Sequence, residues 1–301
     1  MGVLYVVMSV LVWSVVPLLI KQVAPPFDFR WVALLRLALG AGFLAAAEKF
    51  LAARTPAQPS PPRGWSAGER AWLALGGIGL GGNYLLYTAG VIRTTATAAN
   101  LIVQVEIIGL ALWGLLILKE SAAPAKLLGM ALAVGGVFLV AWNGESMAAL
   151  AQSRYLAGNL IVAAAGLSWS FYGLGQKALL GSRGVRETVV PIMVIGALIT
   201  AAAAAFVPAV TRTPTALEWA YAATLGLICT GLGYLLMVRG LRLLEASHVA
   251  LVSALMPLFT MVEAHFLLGE ELTAFVSAGA ALIVGGVALM ILRGYPSAAA
   301  P

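Results

Sequence analysis

Four ionisable side chains stand inside long apolar runs, and they are the groups most able to do chemistry: Arg36, Glu106, Glu263 and His265. A charge within a lipid-embedded helix costs about 2.5–3.5 kcal/mol on insertion scales, so such a group faces water, a ligand or a partner. Glu106 sits near the middle of its run, beyond snorkelling reach of either end. A carboxylate at that depth can hold a proton, an ammonium group or an organic cation. Glu106 is therefore the candidate for both substrate binding and proton coupling; the competing reading is a hydrogen-bonded helix–helix contact. Arg36 and Glu263 lie at similar depths from one membrane face, which allows an Arg36–Glu263 pair without establishing it. Arg36 is expected to snorkel and to hold a structural carbonyl. Glu263 is divided between a cavity and a structural pair. His265, close to the end of its run, reads as interfacial.

Polar and aromatic residues add to this set. Asn100 and Gln104 are four apart and share one helix face. Glu106 lies about 160° around from Gln104 at 100° per residue. Both sets reach one narrow cavity only if the helix bends. Asn83, Tyr84 and Tyr87 cluster in one run, Trp169 and Tyr172 in another, with Trp13 and Tyr234 in two more. Such rings stack on a substrate or bind a cation over their faces; the competing reading is core packing or an interfacial belt. These residues, with Glu106 and Glu263, make up the candidate substrate site. No phosphate loop with its lysine and no zinc-ligand spacing occurs, so no cofactor, no metal and no ATP hydrolysis is expected. The single cysteine, Cys229, excludes an intramolecular disulfide.

The elements that position these groups follow from composition. Of 301 residues, 61% are hydrophobic and 10% charged, against about 45–50% and 25% in soluble domains. A soluble enzyme, a disordered chain and a nucleic-acid binder are excluded, despite the net charge of +6. Ten runs are long enough to cross a bilayer: Val3–Ile20, Trp31–Ala47, Ala71–Gly90, Ala96–Leu118, Pro124–Trp142, Leu156–Gln176, Thr188–Val207, Leu217–Val238, Ala246–Leu268 and Leu272–Leu292. Lipid offers backbone groups no partner, so the spans are helices and the fold class is an all-α integral membrane protein. The longest connection, Glu48–Arg70, holds Pro56, Pro59, Pro61 and Pro62 and reads as an extended linker. The first run lacks a preceding basic residue and a cleavage site, and reads as a retained helix. Of the 18 Lys and Arg residues, twelve fall on the side of both termini, five on the other, and Arg36 within a span. The positive-inside rule then places both termini in the cytoplasm, in an inner (plasma) membrane.

The chain also repeats itself. A shift of 150 pairs Gly76 with Gly226, Gly81 with Gly231, Tyr84 with Tyr234, Gly90 with Gly240, Leu101 with Leu251, Glu120 with Glu270, and Val134–Val137 with Val284–Val287. A shift of 156 pairs Trp13-Ser14 with Trp169-Ser170, Lys21 with Lys177 and Gly40 with Gly196. The expected organisation is a five-helix repeat over 1–142, a connection over 143–155, a second repeat over 156–293 and a tail over 294–301. Five is odd, so the second copy enters the membrane from the opposite side. Inverted repeats of this kind serve alternating access in carriers.

Several motifs resemble the EamA-type branch of the drug/metabolite transporter superfamily. Leu116-Ile117-Leu118-Lys119-Glu120 and Phe266-Leu267-Leu268-Gly269-Glu270 each precede a helix carrying Gly-Gly-Val. Trp13-Ser14, Leu35-Arg36-Leu37 and Pro257-Leu258-Phe259-Thr260 are similar to that family's motifs in helices 1, 2 and 9. Val105-Glu106-Ile107 stands where the family often has Glu-Pro, so a kink there loses its proline. The resemblance implies ten helices, a central cavity lined by helices 1, 3, 4, 6, 8 and 9, and export of small metabolites, amino acids above all. The partners expected are a small-molecule substrate, the lipid bilayer and protons, in a monomer or homodimer, with no nucleic acid. Efflux of organic cations is the rival within the class. A membrane enzyme or a channel is the rival outside it, without a nucleophile–base pair or a charged filter to support either. Glu120 and Glu270 are expected at the interface, fixing the turn into the next helix. The glycines of helix 3 and the pairs Gly135-Gly136 and Gly285-Gly286 are expected to let helices approach closely, within the chain or at a dimer interface.

Overall fold

Helix follows helix along the computed structural model, which describes residues 1–54, 64–117, 123–179, 183, 185–244 and 246–293. Among these the only β pairing is an isolated bridge, Phe27 to Val210, between two connecting loops. Ten helical passes succeed one another among the described residues. Helix 1 comprises Gly2–Ser14 and Val16–Val23, helix 2 Phe29–Arg54, helix 3 Ala67–Val91, and helix 4 Ala96–Ile102 with Val105–Leu116. Helices 5, 6 and 7 are Pro124–Trp142, Leu156–Leu179 and Val185–Ala204. Helix 8 runs from Ala216 to Leu243, helix 9 comprises Ala246–Ser253 and Met256–Leu268, and helix 10 is Ala274–Arg293. Among the described residues eight stretches are long and apolar enough to cross a membrane. The two remaining passes are glycine-rich helix 3 and divided helix 9.

Local chemistry sets where these helices start and break. Ser66 with Glu69, and Thr215 with Glu218, form capping boxes that open helices 3 and 8 with the same device. Pro17 has no N–H for the Trp13 carbonyl, and helix 1 breaks at Val15. Helix 9 breaks before Pro257. Helix 4 breaks at the equivalent place without a proline. The amides of Gln104, Glu106 and Ile107 bond to carbonyls three residues back, at 3.3, 2.9 and 3.0 Å. Here Gly166 of helix 6 lies so near that a Cβ on it would come within 2.6 Å of the Val103 carbonyl oxygen. The kink is therefore present although its proline is missing.

Helix 8 carries a π-helical stretch, Thr224–Leu232, whose repeat mate in helix 3 is ordinary α-helix. The wider turn leaves the Cys229 carbonyl to accept a hydrogen bond from Trp13 Nε1 at 2.9 Å.

The helices pack reciprocally. Helix 3 lies on helix 6 and helix 8 on helix 1; helix 2 meets helix 8 and helix 7 meets helix 3; helices 5 and 10 form a seam. This is the pattern of two five-helix repeats exchanged by a two-fold axis. Glycine makes the closest approaches possible. A Cβ at Gly79 would meet the Ser168 carbonyl oxygen at 2.7 Å, and one at Gly129 the Gly286 carbonyl oxygen at 2.5 Å. Gly136 packs likewise on Gly279, whereas Gly135 and Gly285 have nothing within 4 Å.

Two expectations change. Helix 2 continues to Arg54 and helix 3 begins at Ala67, so both ends of the expected linker Glu48–Arg70 are helical. Charged side chains reach water at helix ends, and the backbone there stays helical beyond the apolar run. The proline-bearing part, 55–63, lies outside the described residues. The connection 143–155 contains a short helix, Met147–Gln152, capped by Ser146.

Candidate functional site: the central cavity

A cavity of about 130 Å³ opens where the irregular segments meet. Val16 beside the helix 1 break, Val103 and Gln104 in the helix 4 break, Ser253 and Met256 beside the helix 9 break, and Cys229 of the π stretch all line it. Helices 1, 3, 4, 6, 8 and 9 contribute, and helix 2 joins them through Arg36.

The break in helix 4 resolves the conflict between its two faces. Asn100, Gln104 and Glu106 all reach the cavity wall. Asn100 and Gln104 are buried, while Glu106 keeps part of its surface open. Asn83, Tyr84 and Tyr87 line the wall from helix 3. The Asn83 amide is already engaged, donating to the Ala165 carbonyl at 2.9 Å.

Trp13, Trp169 and Tyr234 also line the cavity and form one aromatic group. Trp13 stands edge-on to Tyr234 at 5.5 Å between centroids, and Tyr234 lies 6.4 Å from Trp169. Tyr172 belongs to this group, edge-on to Trp169 at 4.9 Å, but stands behind the wall and does not line the cavity. It stands one turn beyond Trp169, and its ring lies edge-on to Tyr234 at 6.4 Å between centroids.

Arg36 is the residue the sequence misjudged. It does not snorkel: it is 6% exposed and lines the cavity. Its guanidinium sits 4.4 Å over the Tyr84 ring, and Nη1 donates to Thr88 Oγ1 at 3.4 Å. Nε has no hydrogen-bond partner. The signal available was its solitude, as the one arginine placed within a span. No Arg36–Glu263 pair forms. Glu263 does not line the cavity; its Oε1 accepts from Ser14 Oγ at 2.7 Å.

Glu270 departs from expectation as well. Rather than fixing its own turn, its carboxylate accepts from the amides of Ala96 and Thr97, at 2.6 and 2.9 Å, and caps helix 4 from across the repeat boundary. Its mate Glu120 lies outside the described residues. His265 is exposed beside the Glu270 carbonyl, 2.9 Å from Nδ1. Among the described residues no group of three His, Cys, Asp or Glu side chains forms a metal cluster.

The cavity thus presents one guanidinium and one carboxylate within an aromatic and amide wall. Around it stand two repeats of membrane-crossing helices. Fold and site together define a polytopic membrane transporter. The chain belongs to the EamA-like transporter family, whose pattern matches residues 1–142 and 156–292. A protein of Archaeoglobus fulgidus named "Uncharacterized transporter" is 30% identical over 226 residues, covering 72% of this chain and 75% of its own. The Escherichia coli "Uncharacterized inner membrane transporter YhbE" is 25% identical, covering 86% and 79%. A crystal structure of a chain 21% identical superposes with a TM-score of 0.65, covering 96% of this chain and 95% of that one. It shares the fold.

Proposed function

We propose that this transporter is a secondary carrier exporting a small zwitterionic metabolite, an amino acid, across the inner membrane by alternating access. The observation that carries the reading is the joint presence of Arg36 and Glu106 on the wall of one small cavity. A carboxylate of the substrate meets the Arg36 guanidinium, whose Nε is free to donate. An ammonium group meets Glu106, and the side chain lies among Trp13, Tyr84, Trp169 and Tyr234. Protonation of Glu106 would release the ammonium, which is how a proton gradient would couple to transport.

The packing of the half-helices supports one access side. The halves Ala96–Ile102 and Met256–Leu268 of helices 4 and 9 pack together. Among the described residues, the mated halves Val105–Leu116 and Ala246–Ser253 have no comparable packing. The less packed second pair is the end at which this reading opens the cavity. With both termini cytoplasmic, as the basic residues suggest, this end is cytoplasmic and the conformation faces inward. The name of the Escherichia coli relative supports an inner-membrane location.

Counterflow in proteoliposomes tests the reading, with a panel of amino acids and one organic cation across a pH series. Saturable exchange of an amino acid is expected, and Glu106→Gln is expected to fold, insert and lose either most transport or its pH dependence. Exchange of the organic cation alone would replace the amino-acid reading with cation efflux. Overlapping pH profiles for wild type and variant would remove proton coupling through Glu106.

A further inference from the structure

Beside the cavity, at the junction of helices 1, 4 and 9, a series of hydrogen bonds links four residues. Asn100 Nδ2 donates to Thr260 Oγ1, Thr260 Oγ1 donates to the Ser14 carbonyl at 2.8 Å, and Ser14 Oγ donates to Glu263 Oε1 at 2.7 Å. Thr97 lies one turn before Asn100, and Glu263 one turn after Thr260, on the same helix faces. The two half-helices run antiparallel, since Glu270, just past the end of helix 9, caps the amides at the start of helix 4. Thr97 and Glu263 therefore stand opposite each other, next to the Asn100–Thr260 contact.

At this junction three oxygens lack partners, and only one of them, the Thr97 hydroxyl, carries a proton of its own. Thr97 Oγ1, Asn100 Oδ1 and Glu263 Oε2 are all buried, and none has a hydrogen-bond partner. Thr97 and Asn100 are 4% and 1% exposed. None of the ion pairs found among the described residues involves Glu263. Buried oxygens without partners are costly, and a carboxylate oxygen is the costliest. One species satisfies several oxygens at once: a hard cation, which takes carboxylate, amide and hydroxyl oxygens together. A single carboxylate balances one positive charge, so the cation is monovalent. A proton would bond one or two of these oxygens, whereas three lack partners here. The junction also adjoins the break in helix 1, the kind of interrupted segment that holds coupling ions in carriers.

We propose that Thr97, Asn100 and Glu263 form a Na⁺ site at this junction. Asn100 lines the cavity as well, so the ion and the substrate share one amide. Occupation of the site fixes the Asn100 oxygen away from the cavity and turns its environment into a reporter of the ion. Through that residue Na⁺ becomes a coupling ion for the carrier. Its binding is measured without substrate, so its failure and that of the amino-acid reading are separable.

The test uses the full chain in lipid nanodiscs. Thermal unfolding and isothermal titration calorimetry are followed as NaCl replaces choline chloride at constant ionic strength, with KCl and LiCl in parallel and at several pH values. A saturable rise in Tm with Na⁺ is expected. Glu263→Gln should abolish it, and the near-isosteric Thr97→Val should weaken the apparent affinity by about tenfold or more. If Glu263→Gln fails to fold, the Thr97→Val shift decides. Three results overturn the site: equal stability in Na⁺ and choline, a Na⁺ effect that survives both substitutions, or stability that follows pH alone. The last would make Glu263 a proton site.

Discussion

Ser14 in helix 1 and Ser170 in helix 6 are equivalent under the repeat, and their hydroxyls make the same local contact. Ser14 Oγ lies 2.9 Å from the Leu11 carbonyl, and Ser170 Oγ 2.6 Å from the Leu167 carbonyl. Across each junction stands another pair of mates. Glu263 meets Ser14 at 2.7 Å, and Trp113 meets Ser170 at 2.8 Å. The geometry is one; the polarity is opposite. Trp113 brings one N–H, spends it on Ser170 and stacks on Phe171 at 5.0 Å, leaving nothing over. Glu263 brings only acceptors, uses one and keeps the other. Where helix 4 has Asn100, its mate in helix 9 is Ala250; where helix 9 has Thr260, its mate in helix 4 is Leu110. The polar cluster was built once. Duplication supplied the scaffold, and divergence put the chemistry on one of its two sides.

The helix 5–helix 10 seam is the control for that contrast, because there the two copies remain alike. A Cβ at Gly129 would lie 2.5 Å from the Gly286 carbonyl oxygen, and one at its mate Gly279 would lie 2.8 Å from the Gly136 carbonyl oxygen. Backbone cannot move aside as a side-chain tip can. Gly129→Val and Gly279→Val should each cost about 3 kcal/mol, at the upper end of overpacking penalties. Denaturant unfolding in a mild detergent checks this. Gly135→Val, which meets open space, should cost little. Unequal losses from the two mates would show that the seam is not symmetric, and would weaken the use of the repeat as an internal control.

Much of this is legible in the sequence. Apolar length gave the ten passes, and matched residues such as Tyr84 and Tyr234 gave the repeat. Trp13, Tyr84, Trp169 and Tyr234 do line the cavity together with Glu106. What escaped were features set by neighbours rather than by the local chain. The helix 4 break has no proline; it lies where Gly166 of another helix makes a close approach. Arg36 turns inward because Tyr84 and Thr88 receive it, and neither is near it in sequence. The hydrogen-bond chain from Asn100 to Glu263 joins three helices, and no periodicity announces such a meeting.

The two serines should separate under substitution. Ser14→Ala removes the hydroxyl that donates to Glu263 and strands a buried carboxylate oxygen; a hydrogen bond to a charged group is worth about 1.5–3 kcal/mol, so about 2 kcal/mol is expected. Ser170→Ala removes a neutral acceptor from the Trp113 indole and should cost about 1 kcal/mol. The Ser14→Ala loss should also shrink in Na⁺ relative to choline, because an ion on Glu263 Oε2 relieves part of the stranded charge. Losses that are equal, and equal in both salts, would mean that the junctions differ in composition alone.

The smallest effect expected at the two junctions is at Trp113 itself. Trp113→Phe deletes the N–H while keeping a ring that can stack on Phe171. The Ser170 hydroxyl loses a donor, yet it still reaches the Leu167 carbonyl at 2.6 Å, so no buried polar atom there is left without a partner. The loss should stay below about 1 kcal/mol, the net value of one neutral hydrogen bond. It should also be the same in Na⁺ and in choline, since no charge is exposed or relieved. Paired unfolding curves in the two salts measure both quantities. A salt-dependent loss at Trp113 would mean that the cation acts through the whole bundle rather than at Glu263, and the single-sided chemistry read from the two junctions would have to be given up.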